Sequence, residues 1–322
     1  MLRRQFMATG ALALLAQPSL AQGPAQPWPN RPVRIVVPFT PGGSNDAMAR
    51  PLSERLQARF GSPFVVENRP GAGSSVGVQN VAQSAPDGHT LLVTTSSVAA
   101  IAPVQRLNFD PTTELDCVAL LARAPLVVLV PPNSRFKGIQ DIVAEARRRP
   151  GEVTFASSGP GSTTHLATEL FALRAGVQMQ HIPYRGTAGA LTDLVAGRVD
   201  VMFTTIASGA GQIRGGLLKV IAWTAEGRPD GTPDAPTVKS TGIEYESGIW
   251  WGLFGPRGLP PAMRTTLNEA VNTILREPSF ARYLAGEGAI PSPMTIDAFT
   301  GLLREEVQAM REVVAAAKVT AD

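Results

Sequence analysis

A short β-branched run leads into a glycine-rich turn that opens a helix at two distant points of this sequence, and that plan limits its folds most. The first copy is Val36-Val37-Pro38-Phe39-Thr40-Pro41-Gly42-Gly43-Ser44-Asn45-Asp46, and the second is Thr154-Phe155-Ala156-Ser157-Ser158-Gly159-Pro160-Gly161-Ser162-Thr163-Thr164. Around them, strand and helix periods alternate. Strands are predicted at 33–38, 64–66, 91–94, 153–156, 180–183, 199–203, 218–224 and 249–254. Helices are predicted at 47–60, 77–84, 139–148, 164–175, 188–196, 262–276 and 296–317, with a Pro/Gly-rich loop over 227–242. Such alternation indicates α/β architecture with mostly parallel sheets built from βαβ units. The apolar stretch 118–130 and the return near Gly248 read as crossings between two lobes. The chain of 322 residues is long enough for both. Residues 22–124 with 249–322 are expected to form a first, discontinuous lobe, and 125–248 a second.

The N-terminus reads as a secretory signal over residues 1–21. Arg3-Arg4 precedes an apolar run and the small pair Ser19 and Ala21, which predicts cleavage after Ala21 by the general or the twin-arginine route. No cysteine stands at that point to carry a lipid, so an exported, soluble, periplasmic protein is expected. Subtracting Arg3 and Arg4 from the 29 basic residues leaves 27 against 26 acidic ones, a near-neutral mature chain. The basic pI therefore gives no support to nucleic-acid binding. Cys117 is single and lies in an apolar run, so it reads as a small buried hydrophobe, with a reactive thiol as the lesser alternative.

The two glycine-rich turns carry the chemistry. A helix leaves its first N–H groups without internal partners and places partial positive charge there. Glycine lets an anion approach the backbone, and Ser or Thr hydroxyls add donors. Gly42-Gly43-Ser44-Asn45 and Gly159-Pro160-Gly161-Ser162-Thr163 each supply this arrangement. If the lobes face one another, both grip one carboxylate in the cleft. One helix end contributes about 0.3–2 kcal/mol, and a hydrogen bond to a charged group roughly 1.5–3 kcal/mol. Micromolar binding, about 8 kcal/mol, therefore calls for both lobes at once and couples binding to closure. Against this stands the plain reading that such residues only cap helices.

Catalytic patterns are weaker. There is no P-loop and no nucleophile elbow, and Gly71-Ala72-Gly73-Ser74-Ser75-Val76-Gly77 misses a dinucleotide fingerprint by one residue. His89, His165 and His181 lack metal-site spacing, and a Ser162–His165 pair one turn apart reads as structural. No enzyme activity, metal or cofactor is expected. Tyr184, after a strand, and Trp250-Trp251 suit cleft lining and core packing equally well.

Further motifs carry a family resemblance: Val66-Glu67-Asn68-Arg69-Pro70-Gly71-Ala72-Gly73, Ala85-Pro86-Asp87-Gly88, His165-Leu166-Ala167, His181-Ile182-Pro183-Tyr184-Arg185-Gly186 and Asp193-Leu194-x-x-Gly197-x-Val199-Asp200. In this order, with the two turns, the sequence resembles the tripartite tricarboxylate transporter substrate-binding proteins, the Bug family. The resemblance implies a type II periplasmic binding-protein fold, a monomer, a small organic carboxylate as ligand, and an integral-membrane permease as partner. Carried over by position, the contacts are Gly42, Gly43 and Asp46 with Thr95 or Ser96 in the first lobe, and Ser158, Ser162, Thr163 and Thr204 in the second. Phe39, Ser44, Gly161 and Tyr184 complete the candidate set. Members often carry Asp after the residue matching Phe203, where this chain has Thr204-Thr205. An ammonium would lack its partner there, so a carboxylate without an amino group is expected. Pro51 falls inside the first helix and is expected to bear on the geometry near Asp46. Presentation of the ligand to a membrane sensor kinase is the alternative use, and a secreted enzyme the least favoured.

Overall fold

The computed structural model describes residues 28–105 and 109–317; the expected signal segment, residues 1–21, lies outside them. The chain opens with β1 (Val33–Val37), α1 (Ser44–Phe60), β2 (Phe64–Asn68), α2 (Ser75–Ala82) and β3 (Thr90–Thr95). Two short helices, α3 (Ile101–Gln105) and α4 (Pro111–Glu114), lead to the long β4 (Leu115–Pro125), which passes through Leu126 into β5 (Val127–Val130) of a second sheet. There follow α5 (Ile139–Arg148), β6 (Thr154–Ser157), α6 (Thr163–Ala175), β7 (Gln180–Pro183), α7 (Thr187–Val195), β8 (Val201–Thr204), α8 (Ile206–Arg214) and β9 (Lys219–Trp223). The chain returns through Ser247 into β10 (Gly248–Pro256) and ends with α9 (Pro261–Leu275), α10 (Pro278–Gly286), β11 (Ile290–Pro291) and α11 (Ile296–Ala317).

Two lobes result, each a sheet flanked by helices. The first sheet has the order β11-β4-β10-β3-β1-β2 and the second β7-β6-β8-β5-β9. Both are mixed, which corrects the expectation of mostly parallel sheets. β1 runs parallel with β2 and β3, and β6 with β7 and β8, as βαβ units require. The crossing strands differ because they carry the chain out and back. β4 and β10 lie antiparallel side by side, with Gly248 opposite Pro125, and β5 is antiparallel to β8 and β9. The two passages between lobes are thus adjacent. Buried Thr224 joins them: its N–H donates to Leu126 O, and its hydroxyl to Ser247 O at 2.7 Å.

Central strands are buried on both faces, so their apolar runs divide by alternation. Val33, Ile35 and Val37 enter one core and Val36 the other. In the second lobe Val128 and Val130 face one side, Val127 and Leu129 the opposite one. Cys117 is buried on β4, and burial pushes its thiol up to about 11, so it serves as a small apolar residue. Among the described residues no helix is long and apolar enough to cross a membrane.

Helix α1 continues through Pro51 as one element. Proline removes the N–H that would bond the carbonyl four residues earlier. That carbonyl, Ala47 O, instead accepts the Tyr283 hydroxyl at 3.0 Å, supplied by α10. Tyr283→Phe is therefore expected to destabilise the protein by about 1 kcal/mol, read as a lower urea midpoint at unchanged m-value. An unchanged midpoint would show that water serves that carbonyl equally well.

Candidate functional site

In the first lobe, the β1–α1 turn is set by Asp46. Its carboxylate accepts the Gly42 N–H at 2.6 Å, Asn68 Nδ2 at 2.9 Å and the Arg50 guanidinium at 3.4 Å. Gly42 sits at φ +86°, where only glycine is at ease. Gly42 and Asp46 thus hold the turn from behind, a task different from the expected ligand contact. The residues they aim forward are Gly43, at the N-cap of α1, then Ser44 and Asn45. Ser44 Oγ accepts the indole N–H of buried Trp251 at 3.3 Å, which leaves its own hydroxyl proton to turn elsewhere.

The β6–α6 turn of the second lobe is held by an internal polar network. Ser162 caps α6, its Oγ accepting the His165 N–H at 3.3 Å, while Gly161 N–H donates to His165 Nδ1 at 3.1 Å. Thr164 Oγ1 accepts the Ser158 N–H and lies 3.0 Å from both Ser158 Oγ and Ser162 Oγ. The His165 ring stacks on His181 at 3.8 Å, and His181 stacks on Phe155. Nε2 of His181 lies 2.6 Å from Ser157 Oγ. Burial, with the neighbouring imidazole adding to it, pushes His181 down to about 3, so it is neutral at pH 7. Ser162 and His165 are therefore engaged with backbone groups, and their pairing is structural. Neither they nor Gly161 line the cleft cavity.

Between the two turns lies a cavity of about 20 Å³, room for roughly one water. Its walls come from the starts of four helices: Gly43, Ser44 and Asn45 of α1, Thr163 and Thr164 of α6, Thr187 of α7, and Thr205 and Ser208 of α8. Phe39, Thr95, Ser158, Thr204 and Ile249 complete the lining. Among the described residues none of these walls carries a charged side chain. Two buried polar atoms in the lining, Thr204 Oγ1 and Asn45 Oδ1, lack a partner among the described residues. Four positive helix ends and spare hydroxyls, with no formal charge, are an arrangement whose chemistry suits an anion.

The sequence reading brought Phe39, Gly43, Ser44, Thr95, Ser158, Thr163 and Thr204 to this cavity; it named Asn45 only within the first turn, and it did not find Thr164, Thr187, Thr205 or Ser208 as lining. Ser96 stands at its edge, with Oγ 3.1 Å from Thr163 Oγ1 across the lobe seam. Tyr184 lines a neighbouring cavity of about 270 Å³, which shares Phe39 and Ser158 with the first. Its hydroxyl donates to Asp193 at 2.7 Å.

The seam is closed by glycines. A Cβ on Gly73 would lie 1.9 Å from Pro160 O, one on Gly186 2.2 Å from Thr40 Oγ1, and one on Gly43 2.8 Å from Thr187 Oγ1. The Gly73 loop is itself strained: Ala72 and Ser74 hold positive φ of 42° and 99°, a cost tolerated where surrounding structure demands it. Gln105 steadies the loop by donating to Ala72 O.

Residues 48–319 match the model of the tripartite tricarboxylate transporter family receptor, TctC. Protein BugT of Bordetella pertussis is 34% identical over 313 residues, which span 96% of this chain and 94% of that protein. Among solved structures, Rpa4515 of R. palustris with adipate is 31% identical with a TM-score of 0.87, covering 91% of this chain and 99% of that one. MatC (Rpa3494) from Rhodopseudomonas palustris with bound malate is 31% identical with a TM-score of 0.83, covering 89% and 100%.

Proposed function

This chain belongs to the tripartite tricarboxylate transporter receptor family, and from that premise we propose that it captures a small organic carboxylate by closing its two lobes. The receptor works in the periplasm and passes its ligand to a membrane permease of the tripartite type. It performs no chemistry on what it binds. The observation that carries this reading is the convergence of four helix N-termini on an uncharged, hydroxyl-lined cavity. Relatives of similar architecture hold adipate and malate, which supports a carboxylate as the ligand class.

Closure and capture are one event in this scheme. A cavity of about 20 Å³ takes a water and not a dicarboxylate, so on this reading ligand enters and leaves only when the lobes part, and the cavity widens about its head group when they close on it. Once enclosed, the carboxylate receives the N–H groups of α1 from one lobe and those of α6, α7 and α8 from the other. The Thr204 hydroxyl, without a partner among the described residues, adds a donor. Each such bond contributes about 1.5–3 kcal/mol, and those of the second lobe form only on closing. That differential drives the closed state. The ligand lacks an amino group on this reading, because among the described residues the cavity lining carries no acidic side chain and Asp46, in the adjoining turn, is engaged by Gly42, Asn68 and Arg50.

A thermal-shift screen of the mature protein against mono-, di-, tri- and aromatic carboxylates tests this. A cognate ligand at a hundred times its Kd adds about 2.7 kcal/mol of stability, a rise of several degrees in Tm. Deaminated acids are expected to bind more tightly than aspartate or glutamate. A preference for the amino acids would overturn the ligand class, and no shift with any carboxylate would overturn the receptor reading.

A further inference from the structure

Beyond the Ser96–Thr163 pair lies a second and far larger space, a chamber of about 560 Å³ at the hinge. Ser96 and Thr163 border it, and Thr163 and Ile249 also line the carboxylate cavity, so the two spaces share walls. Its body is apolar: Leu166 and Leu170 of α6, Trp250 of β10, and Leu302, Met310 and Val313 of α11. Its charged residues are Arg123 against Glu226, Glu246 and Glu306, a balance that is net acidic. An apolar groove, open to solvent on one side and bordered by two hydroxyls, with a net acidic balance of charge, favours an uncharged hydrocarbon body over a second carboxylate.

We propose that the hinge chamber is an extension of the carboxylate site and takes the apolar body of a monocarboxylate whose head sits at the helix N-termini. This rests on the carboxylate reading and adds to it the class of ligand. Ser96 and Thr163 hydroxyls, now 3.1 Å apart, turn from each other to the head group as the tail passes between them. The chamber is walled by both lobes, through α6 and α11, and by the crossing strands at Ala124, Pro125, Ser247 and Gly248. A tail seated there therefore contacts both lobes and the hinge together. Ligands with longer apolar bodies gain affinity through the same closure that grips the head.

Calorimetry of the mature protein with butyrate, hexanoate and octanoate tests the assignment. Affinity is expected to rise by about fourfold for each added methylene, the gain for burying one such group. Ala309→Trp fills the chamber from its exposed edge on α11. It is expected to leave butyrate within twofold of wild type and to bring octanoate to within threefold of butyrate. Val313→Trp, from the same wall, provides a second plug if the first fails to fold, and the wild-type series decides the matter without either. A flat wild-type series, or a plug that leaves octanoate unchanged, overturns the chamber's role while the carboxylate reading stands on butyrate or dicarboxylate binding. Binding of no carboxylate overturns both.

Discussion

Gly73→Ala is expected to weaken carboxylate binding roughly 5- to 150-fold, while the Tm of the ligand-free protein falls only by the left-handed backbone penalty at that position. The alanine Cβ would stand 1.9 Å from the carbonyl oxygen of Pro160 on the opposite lobe, a backbone atom that cannot turn aside. Overpacking of this kind costs about 1–3 kcal/mol, and here the cost falls on the closed state alone. In an open state, with Pro160 withdrawn from Gly73, the seam would lose nothing. Apparent affinity falls in proportion to the population of the closed, binding-competent form. Gly73 also sits at φ +58°, so alanine carries a backbone penalty in either state. Gly151→Ala separates the two effects: its φ is +78° and nothing lies within 4 Å of its Cβ. Calorimetry on both variants should show weakened binding for Gly73→Ala and wild-type binding for Gly151→Ala. Equal affinities in the two would mean that the seam does not close on the ligand in this register.

That seam also shows where sequence reading ends. The two anion turns were legible because each is local: strand, glycines, cap and helix follow one another within a dozen residues, and physical chemistry at that range is dictated by order along the chain. Gly71-Ala72-Gly73-Ser74-Ser75-Val76-Gly77 was local too, yet it read as a near-miss of a nucleotide motif. Its glycines answer to distant partners. Gly73 makes room for Pro160, and Gly77 lies against Pro38 and the Arg69 carbonyl. Helix α8 went unseen because Ile206-Ala207-Ser208-Gly209-Ala210-Gly211 has small residues and no apolar period. Its cap, Thr205, was visible only as a departure from the family pattern. Thr187 joins the cavity through the turn at Gly186, whose Cβ would meet Thr40 across the cleft. Tyr283 is likewise remote from the Ala47 carbonyl it satisfies.

The expected roles of Gly42 and Asp46 changed for a related reason. A carboxylate at the start of a helix can face the ligand or face back into its own turn, and spacing does not separate these. Asn68 and Arg50 decide the matter by presenting donors from behind. The consequence is a cavity lined by backbone dipoles and hydroxyls alone, without a carboxylate that would repel an anion or pair with an ammonium.

Lowering the pH from 7 to 4 is expected to cost the protein stability through His181, at most about 3 kcal/mol and less once solvent screening of this partly exposed ring is allowed for. The group is pushed from 6.5 down to about 3 by burial and by His165, so the folded state favours its neutral form. Between those values the unfolded chain binds the proton and the native protein does not. Stability from this source is therefore fully present above pH 6.5 and is lost as pH falls towards 3. The loss has a structural address. A charged His181 would sit 3.8 Å from the His165 ring, against Ser157 Oγ and the Phe155 face, beneath the turn that supplies Ser158 and Thr163 to the cavity. His181→Phe keeps a ring in the stack and removes the titration. Urea unfolding of both proteins at pH 7 and pH 4 should show a smaller acid loss in the variant, by about 1–3 kcal/mol after solvent screening, whatever the other titrating groups contribute to each. Parallel losses in the two proteins would place the acid sensitivity elsewhere and leave the histidine stack a packing feature only. Acidification from pH 7 to pH 4 is expected to weaken the exchange protection of the Gly161 amide more in the wild type than in the variant, because that N–H donates to the His165 ring on which a charged His181 would press. A stack that titrates thus ties the firmness of the β6–α6 turn to the acidity outside, through a ring that does not line the cavity.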